Sequence, residues 1–253
     1  MSTPSRSHLI LIPSYNTGGR VLQTAWDARQ VWQPVWVIVD GSTDGTLQAL
    51  QALERDDPGM RVLALPRNQG KGAAILHGLR AAEAAGYTHA MTMDADGQHP
   101  TSKIREFMAA SVADPRALIL GRPVFDASAP RVRVHGRKLS NWCAGLETLG
   151  AGIGDSLCGF RVYPIAPLHE IMEHQPWMRR FDFDAEAAVR LCWRGVRPVN
   201  LAAPVRYFRP DEGGVSHFRY VRDNALLTWM HARLIVEGLV RLPLLLPRRL
   251  AGR

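Results

Sequence analysis

The sequence of 253 residues contains little cysteine and no long apolar run, and each shortage excludes a class of protein. Its three cysteines, Cys143, Cys158 and Cys192, are far apart and form no Cys-x-x-Cys pair, so neither a disulfide framework nor a structural zinc site is expected. No stretch approaches the roughly 18 uninterrupted apolar residues of a spanning helix. Since the N-terminus also lacks the apolar core of a signal peptide, we expect a reducing, cytoplasmic location.

Two common nucleotide-binding patterns are also missing. Lys71 follows a glycine, but Gly72 and Ala73 stand where a P-loop carries a serine or threonine. No Gly-x-Gly-x-x-Gly follows the first predicted strand, as a dinucleotide-binding protein would require. ATPase and dehydrogenase functions are therefore not favoured.

Positive charge is in excess. The 31 Lys and Arg residues against 23 Asp and Glu give a net charge of +8 and a pI near 10.0, so the surface should attract phosphates or anionic lipid. No nucleic-acid-binding motif is present, and aromatic residues do not alternate with basic ones, so we expect no nucleic-acid partner. A non-catalytic basic protein that binds anionic membrane or nucleic acid is the alternative from another functional class.

Short apolar runs alternate with longer segments of helical period, which predicts an α/β fold with a mostly parallel sheet between helices. Strands are predicted at His8–Pro13, Val35–Val39, Arg61–Ala64, His89–Met93 and Ala117–Gly121. Helices are predicted at Val21–Val31, Thr46–Arg55, Ala73–Ala85 and Ser102–Ala113. In the second half we predict a helix at Asp184–Arg194 and strands at Arg197–Val199 and Val205–Phe208. We expect one domain over residues 1–224 and an apolar, basic helical tail over 225–253.

Asp94 and Asp96 are separated by one residue at the end of a predicted strand, where ligands bind in such sheets. Mg²⁺ and Mn²⁺ take oxygen ligands and share substrate phosphates, so these carboxylates with the Gln98 amide outline a divalent-metal site. The same Asp-x-Asp-Gly pattern also suits a capped turn.

Two further segments could contact a nucleotide. Asp40, at the end of the second predicted strand, could accept hydrogen bonds from a nucleobase or ribose. Lys71 precedes a helix, where it could bind phosphate together with the backbone amides. Both segments are rich in turn and capping residues, so a structural role stays open for each.

The ordered motifs resemble one family, the inverting GT-A-fold glycosyltransferases of family 2, and within it the polyprenyl-phosphate (dolichol-phosphate) mannosyltransferase branch. The resemblance covers about residues 8–220 and rests on Pro13-x-Tyr15-Asn16, Asp40-Gly41-Ser42-Thr43-Asp44-Gly45-Thr46, Asn68-x-Gly70-Lys71-Gly72, Asp94-Ala95-Asp96-Gly97-Gln98-His99-Pro100 and Gly159-Phe160-Arg161. One departure is Val39, where the family carries the first of two aspartates. The resemblance implies a Rossmann-like GT-A fold and a hexosyltransferase with a nucleotide-diphosphate sugar as donor.

The resemblance also implies roles for individual residues. The donor nucleotide would be bound by Pro13, Tyr15, Asn16, Asp40, Lys71 and Asp94. The metal, Mg²⁺ or Mn²⁺, would be held by Asp94, Asp96 and Gln98. His217 matches a late histidine that binds metal or diphosphate in many GT-A enzymes, although an ordinary surface or core histidine suits its position too.

The expected acceptor is a lipid-linked phosphate such as a polyprenyl phosphate, whose oxygen is already anionic and needs no base. The site should then supply arginines. Arg122 and Arg137 match arginines of the polyprenyl-phosphate branch, and Arg161 belongs to the Gly-Phe-Arg motif. A solvated basic face would explain the same residues.

If the acceptor is instead a hydroxyl of a lipid or saccharide, a carboxylate base must lie within hydrogen-bond reach of it. Asp184 matches the base of hydroxyl-transferring relatives, although Phe183 replaces the glutamate that precedes it there. Asp155 is the second candidate. Either carboxylate could merely cap a helix or pair with a basic neighbour.

The C-terminal segment from Ala225 mixes a helical apolar pattern with arginines. This combination suits a helix in the membrane interface, where lipid chains contact the apolar face and anionic headgroups the cations. A helix packed on the core is the alternative. We expect peripheral contact with the inner face of the cell membrane.

Overall fold

The structure is a computed structural model that describes residues 4–125, 131–206 and 219–251. Seven strands form one sheet in the order β3-β2-β1-β4-β6-β5-β7. The strands are β1 His8–Ser14, β2 Val35–Asp40, β3 Met60–Leu65, β4 His89–Thr92, β5 Leu118–Phe125, β6 Arg161–Pro164 and β7 Pro198–Val205. The helices are α1 Gly19–Val31, α2 Thr46–Asp56, α3 Lys71–Ala84, α4 Ile104–Ala113, α5 Arg131–Glu147, α6 Ile165–His174, α7 Phe183–Trp193 and α8 Tyr220–Ala251, with a 3₁₀ turn at Thr101–Lys103.

The first four strands are parallel, and the sheet that they form lies between two apolar layers. All six residues of β2 are buried, as expected for a strand covered on both faces. Along β1, Leu9 and Leu11 pack in the layer that holds α3, α6 and α7. Ile10 and Ile12 face the opposite layer, which holds α1 and α4. The period of two along the strand thus assigns each side chain to one layer.

The chain reverses its strand direction at β6, which pairs antiparallel with both β4 and β5. This arrangement brings the loop before β6 over the end of β4. The Thr92 hydroxyl donates to the Gly159 carbonyl at 2.8 Å and holds the two segments together. The reversal therefore places second-half residues beside the Asp94 loop.

The α/β fold with a mostly parallel sheet is confirmed, and the first-half strands and helices lie within a few residues of their predicted positions. The second half differs more. Helices α5 and α6 and strand β6 were not predicted. The strand predicted at Arg197–Val199 is part of β7, which ends at Val205. Of the strand predicted at Val205–Phe208, residues 207 and 208 lie outside the described residues. The glycine-rich segment from Gly145 to Gly159 begins inside α5, which continues to Glu147.

Helix α8 begins at Tyr220, so the domain boundary predicted at residue 225 lies inside it. Met230 and Leu234 of this helix are buried against Ala144 of α5 and Val189 of α7. Part of the predicted tail therefore belongs to the packed structure. Within the described ranges, no helix combines the length and hydropathy needed to cross a membrane.

Candidate active site

The loops that follow β1 and β2 are tied to each other by side chains that the motifs supply. The Asn16 amide oxygen accepts from the Thr43 backbone at 2.8 Å, and the Asn16 backbone donates to the Ser42 hydroxyl at 2.9 Å. Asp44 accepts from the Gly18 backbone and from Thr46. Asn16 therefore shapes this edge of the sheet, and its contact with a donor stays a prediction.

Asp40 is buried at the end of β2 and holds the loop that precedes α3. Its carboxylate accepts from the backbone amides of Gln69 at 2.8 Å and Gly70 at 2.7 Å, and from the Asn68 side chain at 3.0 Å. Burial raises the pKa of Asp40, although these backbone hydrogen bonds oppose the rise. Gly41 is required beside it, because a Cβ there would lie 2.3 Å from the Arg67 backbone. The predicted contact between Asp40 and a nucleobase stays a prediction.

Lys71, the first residue of α3, connects the two halves of the site. Its ammonium lies 2.6 Å from an Asp94 oxygen and 2.6 Å from an Asp184 oxygen. Burial would lower the pKa of Lys71, but the two carboxylates raise it, so the side chain stays charged. Gly159 completes the cluster, because a Cβ there would lie 2.7 Å from the ammonium nitrogen. Lys71, expected at a phosphate, is thus an internal cation between two carboxylates in this structure.

Asp94 and Asp96 follow β4 and influence each other. Burial would raise the pKa of Asp94, but Lys71 and then His99 lower it to about 2. Burial and the neighbouring Asp94 raise the pKa of Asp96. The charge on Asp94 thus disfavours a second negative charge on Asp96, which a bound cation would stabilise.

The donor set at the predicted metal site consists of two carboxylates and one amide, those of Asp94, Asp96 and Gln98. Asp96 accepts from the Gln98 backbone at 3.0 Å, which fixes the turn between them. Among the described residues, no group of three or more His, Cys, Asp and Glu side chains is suited to hold a metal ion. Two carboxylates fit Mg²⁺ or Mn²⁺ when substrate phosphates and water complete the coordination. His217, the fourth predicted ligand, lies outside the described residues.

His99 lies in the same motif as Asp94 and Asp96, but the sequence predicted no role for it. Its Nδ1 accepts from the Asp94 backbone amide at 3.0 Å, and its Nε2 lies 3.6 Å from an Asp94 oxygen. Burial would lower the pKa of His99, but Asp94 raises it. His99 therefore orients Asp94. The spacing of five residues within one loop was the available sequence signal.

A cavity of about 570 Å³ lies beside this loop and is of the size that binds a small ligand. Gln98 and His99 line one side, and Phe125 of β5 and Arg206 after β7 line another. Arg122 is exposed three residues before Phe125 on the same strand. The cavity thus lies between the Asp94 loop and the end of β5, the strand that carries the predicted acceptor arginine.

Arg137 and Asp155, predicted as an acceptor contact and a candidate base, are paired with each other at 2.7 Å. The guanidinium of Arg137 also lies 5.6 Å from the ring centre of Phe125, which lines the cavity. Asp155 accepts in addition from the Leu157 backbone at 3.0 Å. Asp155 therefore has the structural role of a paired, turn-forming carboxylate.

Arg161 does not face the cavity, and the prediction that it contacts an acceptor phosphate is corrected. Its side chain is fully buried. Its guanidinium donates to the backbone carbonyls of Cys158 at 2.6 Å and Ser156 at 2.7 Å, and to that of Asp184. Its donors are thus engaged by the protein, and Arg161 fixes the loop before β6 against the start of α7.

Pro13 and Tyr15 are half-buried at the end of β1, and their binding of the donor nucleotide stays a prediction.

Asp184 is buried in the first turn of α7, and one of its carboxylate oxygens lies 2.6 Å from the Lys71 ammonium. Its other oxygen, Oδ1, has no hydrogen-bond partner among the described residues. The structure therefore gathers Asp94, Asp184 and Lys71 into one cluster.

Comparison with known proteins gives a consistent family. Residues 9–171, more than half of the chain, match the family described as Glycosyl transferase family 2. The chain is 29% identical over 174 residues to the polyprenol monophosphomannose synthase of Mycolicibacterium smegmatis, covering 66% of this chain and 65% of that protein. It is 23% identical over 196 residues to the UDP-N-acetylglucosamine–dolichyl-phosphate N-acetylglucosaminyltransferase of Methanococcus voltae, covering 71% and 78%.

The matched segment is shorter for CsbB of Bacillus subtilis, which is 34% identical over 105 residues, 39% of this chain and 31% of that protein. The chain thus spans less than two thirds of the length of two of these three relatives.

Two solved structures share the fold. Glucosyl-3-phosphoglycerate synthase of Mycobacterium tuberculosis, in complex with Mn²⁺, UDP-glucose and phosphoglyceric acid, superposes with a TM-score of 0.58 at 16% identity, covering 93% of this chain and 79% of that one. TarS 1-349 of S. aureus with UDP-GlcNAc gives 0.59 at 14% identity, covering 97% and 73%. With the sheet, the motif loops and the family match in agreement, the chain belongs to glycosyl transferase family 2 and has the GT-A fold.

Proposed function

We propose that the protein is a metal-dependent, inverting glycosyltransferase that moves a hexose from a nucleotide-diphosphate sugar to a lipid-linked phosphate at the cytoplasmic face of a membrane. The observation that carries the choice of acceptor is that both candidate bases are paired with cations. Asp155 lies 2.7 Å from Arg137, and Asp184 lies 2.6 Å from Lys71. A phosphate acceptor is anionic and needs no base, whereas a hydroxyl acceptor does.

The names of two relatives support this choice, since one is a polyprenol monophosphomannose synthase and the other a dolichyl-phosphate N-acetylglucosaminyltransferase. Arg122 on β5 and Arg137 on α5 are the residues expected to bind the acceptor phosphate, and Arg137 lies against Phe125 of the cavity lining. Guanidinium groups suit this task because they bind phosphate through two parallel hydrogen bonds.

Asp94 and Asp96 would hold the divalent cation, with Gln98 beside them. When bound, the cation would stabilise the negative charge that develops on the departing diphosphate. Lys71 holds Asp94 in its ionised form, and His99 accepts from the Asp94 backbone amide and lies 3.6 Å from its carboxylate. These residues therefore prepare an acidic, preorganised site at the end of β4.

Contact with the membrane is assigned to α5 and α8. Buried residues of both helices face the α7 side of the molecule. Away from it, large apolar side chains are exposed, namely Leu139, Trp142 and Leu146 on α5, and Trp229, Val236, Leu239 and Val240 on α8. A helix whose outer face is apolar and whose flank is basic suits the membrane interface.

The test is the Asp184→Asn variant, with Asp114→Asn as a control because Asp114 pairs with Arg197 outside the site. Transfer from a panel of nucleotide-sugars to a short-chain polyprenyl phosphate would be measured over a range of pH. We expect turnover within about tenfold of the unmodified protein and an unchanged pH profile, since no proton is removed by this residue.

A loss of about a thousandfold or more, with the acid limb of the pH profile removed and the fold intact, would contradict the phosphate acceptor. That outcome would favour the alternative, transfer to a lipid or saccharide hydroxyl with Asp184 as base. In that alternative, the Asp184 Oδ1, which has no hydrogen-bond partner among the described residues, would accept the proton of the acceptor hydroxyl.

A further inference from the structure

A second pocket, of about 210 Å³, lies where α6, α7 and α8 meet, and it shares no lining residue with the cavity at Gln98. Its volume is below that of pockets for drug-sized ligands, which leaves room for a small group. Within the part of the chain that the structure describes, no acidic residue lines it. Cationic and aromatic side chains dominate the lining: Arg190, Arg194, Arg241, Arg248, His174 and Trp193.

The arginines are fixed in position by contacts at the edge of the pocket. The Glu237 carboxylate pairs with the guanidinium groups of Arg190 and Arg241, at N···O distances of 2.7 and 2.8 Å. The guanidinium groups of these two arginines lie 5.5 and 5.3 Å from the ring centre of Trp193. Because the cations are held before any ligand arrives, little side-chain entropy would be lost on binding.

The glutamates that contact these arginines do not balance their charge. Four arginines line the pocket, and a fifth, Arg233, shares Glu186 with one of them. The glutamates paired with these arginines are three, Glu170, Glu186 and Glu237, so the cluster has an excess of two positive charges. Arg248 donates to the Trp193 carbonyl at 3.1 Å, and no carboxylate of the described residues lies within 4.0 Å of it. A phosphate group carries the charge that would compensate this excess.

We propose that this pocket binds a phosphate group, supplied by the headgroup of an anionic lipid or by free phosphate. Arg241 and Arg248 are the expected donors, because both lie on α8 and line the pocket. The Nε and Nη2 of Arg241 donate to Glu237, so this arginine would contact the phosphate through Nη1. Leu244 lines the same pocket and is 62% exposed, so the opening adjoins the outer apolar face of α8. The lipid source rests on the proposed membrane contact, whereas the phosphate site does not.

The experiment uses the full chain with Arg241→Lys and Arg248→Lys combined, which keeps both charges but removes the planar donor pattern. Arg197→Lys is the matched control, since Arg197 is an exposed arginine paired with Asp114 outside the pocket. Thermal stabilisation would be measured with inorganic phosphate and, at equal ionic strength, with chloride. Co-sedimentation would be measured with vesicles of phosphatidylglycerol and of phosphatidylcholine.

We expect inorganic phosphate to raise the Tm of the unmodified protein and of the control, but not of the double variant. Binding to phosphatidylglycerol vesicles should fall about fivefold or more in the double variant and stay unchanged in the control. A further pair, Arg241→Gln with Arg248→Gln, should lose about thirtyfold, because two charges near the surface are removed.

A double lysine variant that behaves like the unmodified protein in both assays would overturn the proposal, as would an equal loss in the control. A phosphate response without any vesicle effect would support the pocket and assign free phosphate as its ligand. Stabilisation by nucleoside diphosphates with Mg²⁺ or Mn²⁺, measured on the same variants, tests the donor site separately. Failure of the pocket and failure of the proposed function are thereby distinguished.

Discussion

The two halves of the chain use charged residues in different ways. In the first half, the motif carboxylates Asp40 and Asp94 stand at strand ends and accept from loop backbone or from a single cation. In the second half, buried charges pair within and between helices, as Glu186 does with Arg190 of the same helix, α7, and with Arg233 of α8. The comparison teaches that the sheet edge supplies the chemistry, while paired charges of the second half hold the helices around it.

The largest effect should come from the sheet edge. Asp96→Ala removes one of two carboxylates of the predicted metal site, so transfer should fall about a thousandfold, as when one stabilising group is removed from a catalytic site. Turnover and the metal-dependent Tm shift with nucleotide-sugars would be measured. Asp56→Ala, an exposed carboxylate at the end of α2, is the control. A variant with full activity would show that the pair Asp94 and Asp96 holds no essential metal.

The helix-holding charges should affect stability instead. Glu186→Gln leaves Arg190 and Arg233 without their buried carboxylate, which should cost about 3 kcal/mol of unfolding free energy. The control Glu106→Gln breaks a surface pair with Lys103 and should cost less than about 1 kcal/mol. Urea unfolding measures both. Equal losses in the two variants would erase the proposed difference between the halves.

The free energy of unfolding should depend on pH through His8, which lies at the opposite end of the sheet from the motif loops. His8 begins β1, stacks on His89 with ring centres 4.4 Å apart, and contacts the Ser111 hydroxyl at 3.0 Å. Burial and then His89 lower the pKa of His8 to about 4. The unfolded chain therefore binds a proton below its ordinary pKa while the folded chain does not, and stability falls as the pH drops through this window.

The cost should reach about 2 kcal/mol between pH 7 and pH 5, which His8→Gln should abolish. Urea unfolding at both pH values measures it. Unchanged pH dependence in the variant would assign the titration to another group. Because His8 belongs to the first half, loss of the pH dependence in His8→Gln would also show that a buried polar group of this half can affect stability without taking part in the site.

The smallest effect concerns the outer face of α8. Trp229→Ala should weaken binding to anionic vesicles about fivefold, since apolar contact area is lost. Trp26→Ala is the matched control, because Trp26 is 49% exposed on α1 and Trp229 is 56% exposed on α8. Vesicle co-sedimentation measures both. An equal loss in the two variants would remove the reason to assign the membrane contact to α8.

How much could be predicted differs between the halves for a physical reason. The strands from His8 to Leu65 have apolar runs with turn residues after them, and their neighbours in the sheet are near in sequence. Local pattern and fold therefore agree there. Strand β6 is four residues long and pairs with β4, which lies about seventy residues earlier. No local pattern reveals such a pairing.

The site shows the same division. The motif spacing predicted that Asp40, Asp94 and Asp96 would lie at one sheet edge, because parallel strands end there together. It did not predict that Lys71 would bridge Asp94 and Asp184, which are 90 residues apart in the sequence. Nor did it predict that Arg161 would be fully buried, since an arginine in a loop motif is normally expected at the surface.

The family, the parallel core and the order of the motif loops could be inferred from the sequence, because periodicity and motif spacing are local properties of the chain. Three-dimensional packing was needed to show which charged side chains can contact a ligand and which are used internally. Asp155 pairs with Arg137, Arg161 binds backbone carbonyls, and the arginines of α7 and α8 surround a separate pocket. The physical reason is that a charge's role depends on burial and on its neighbours in space, which long-range packing sets.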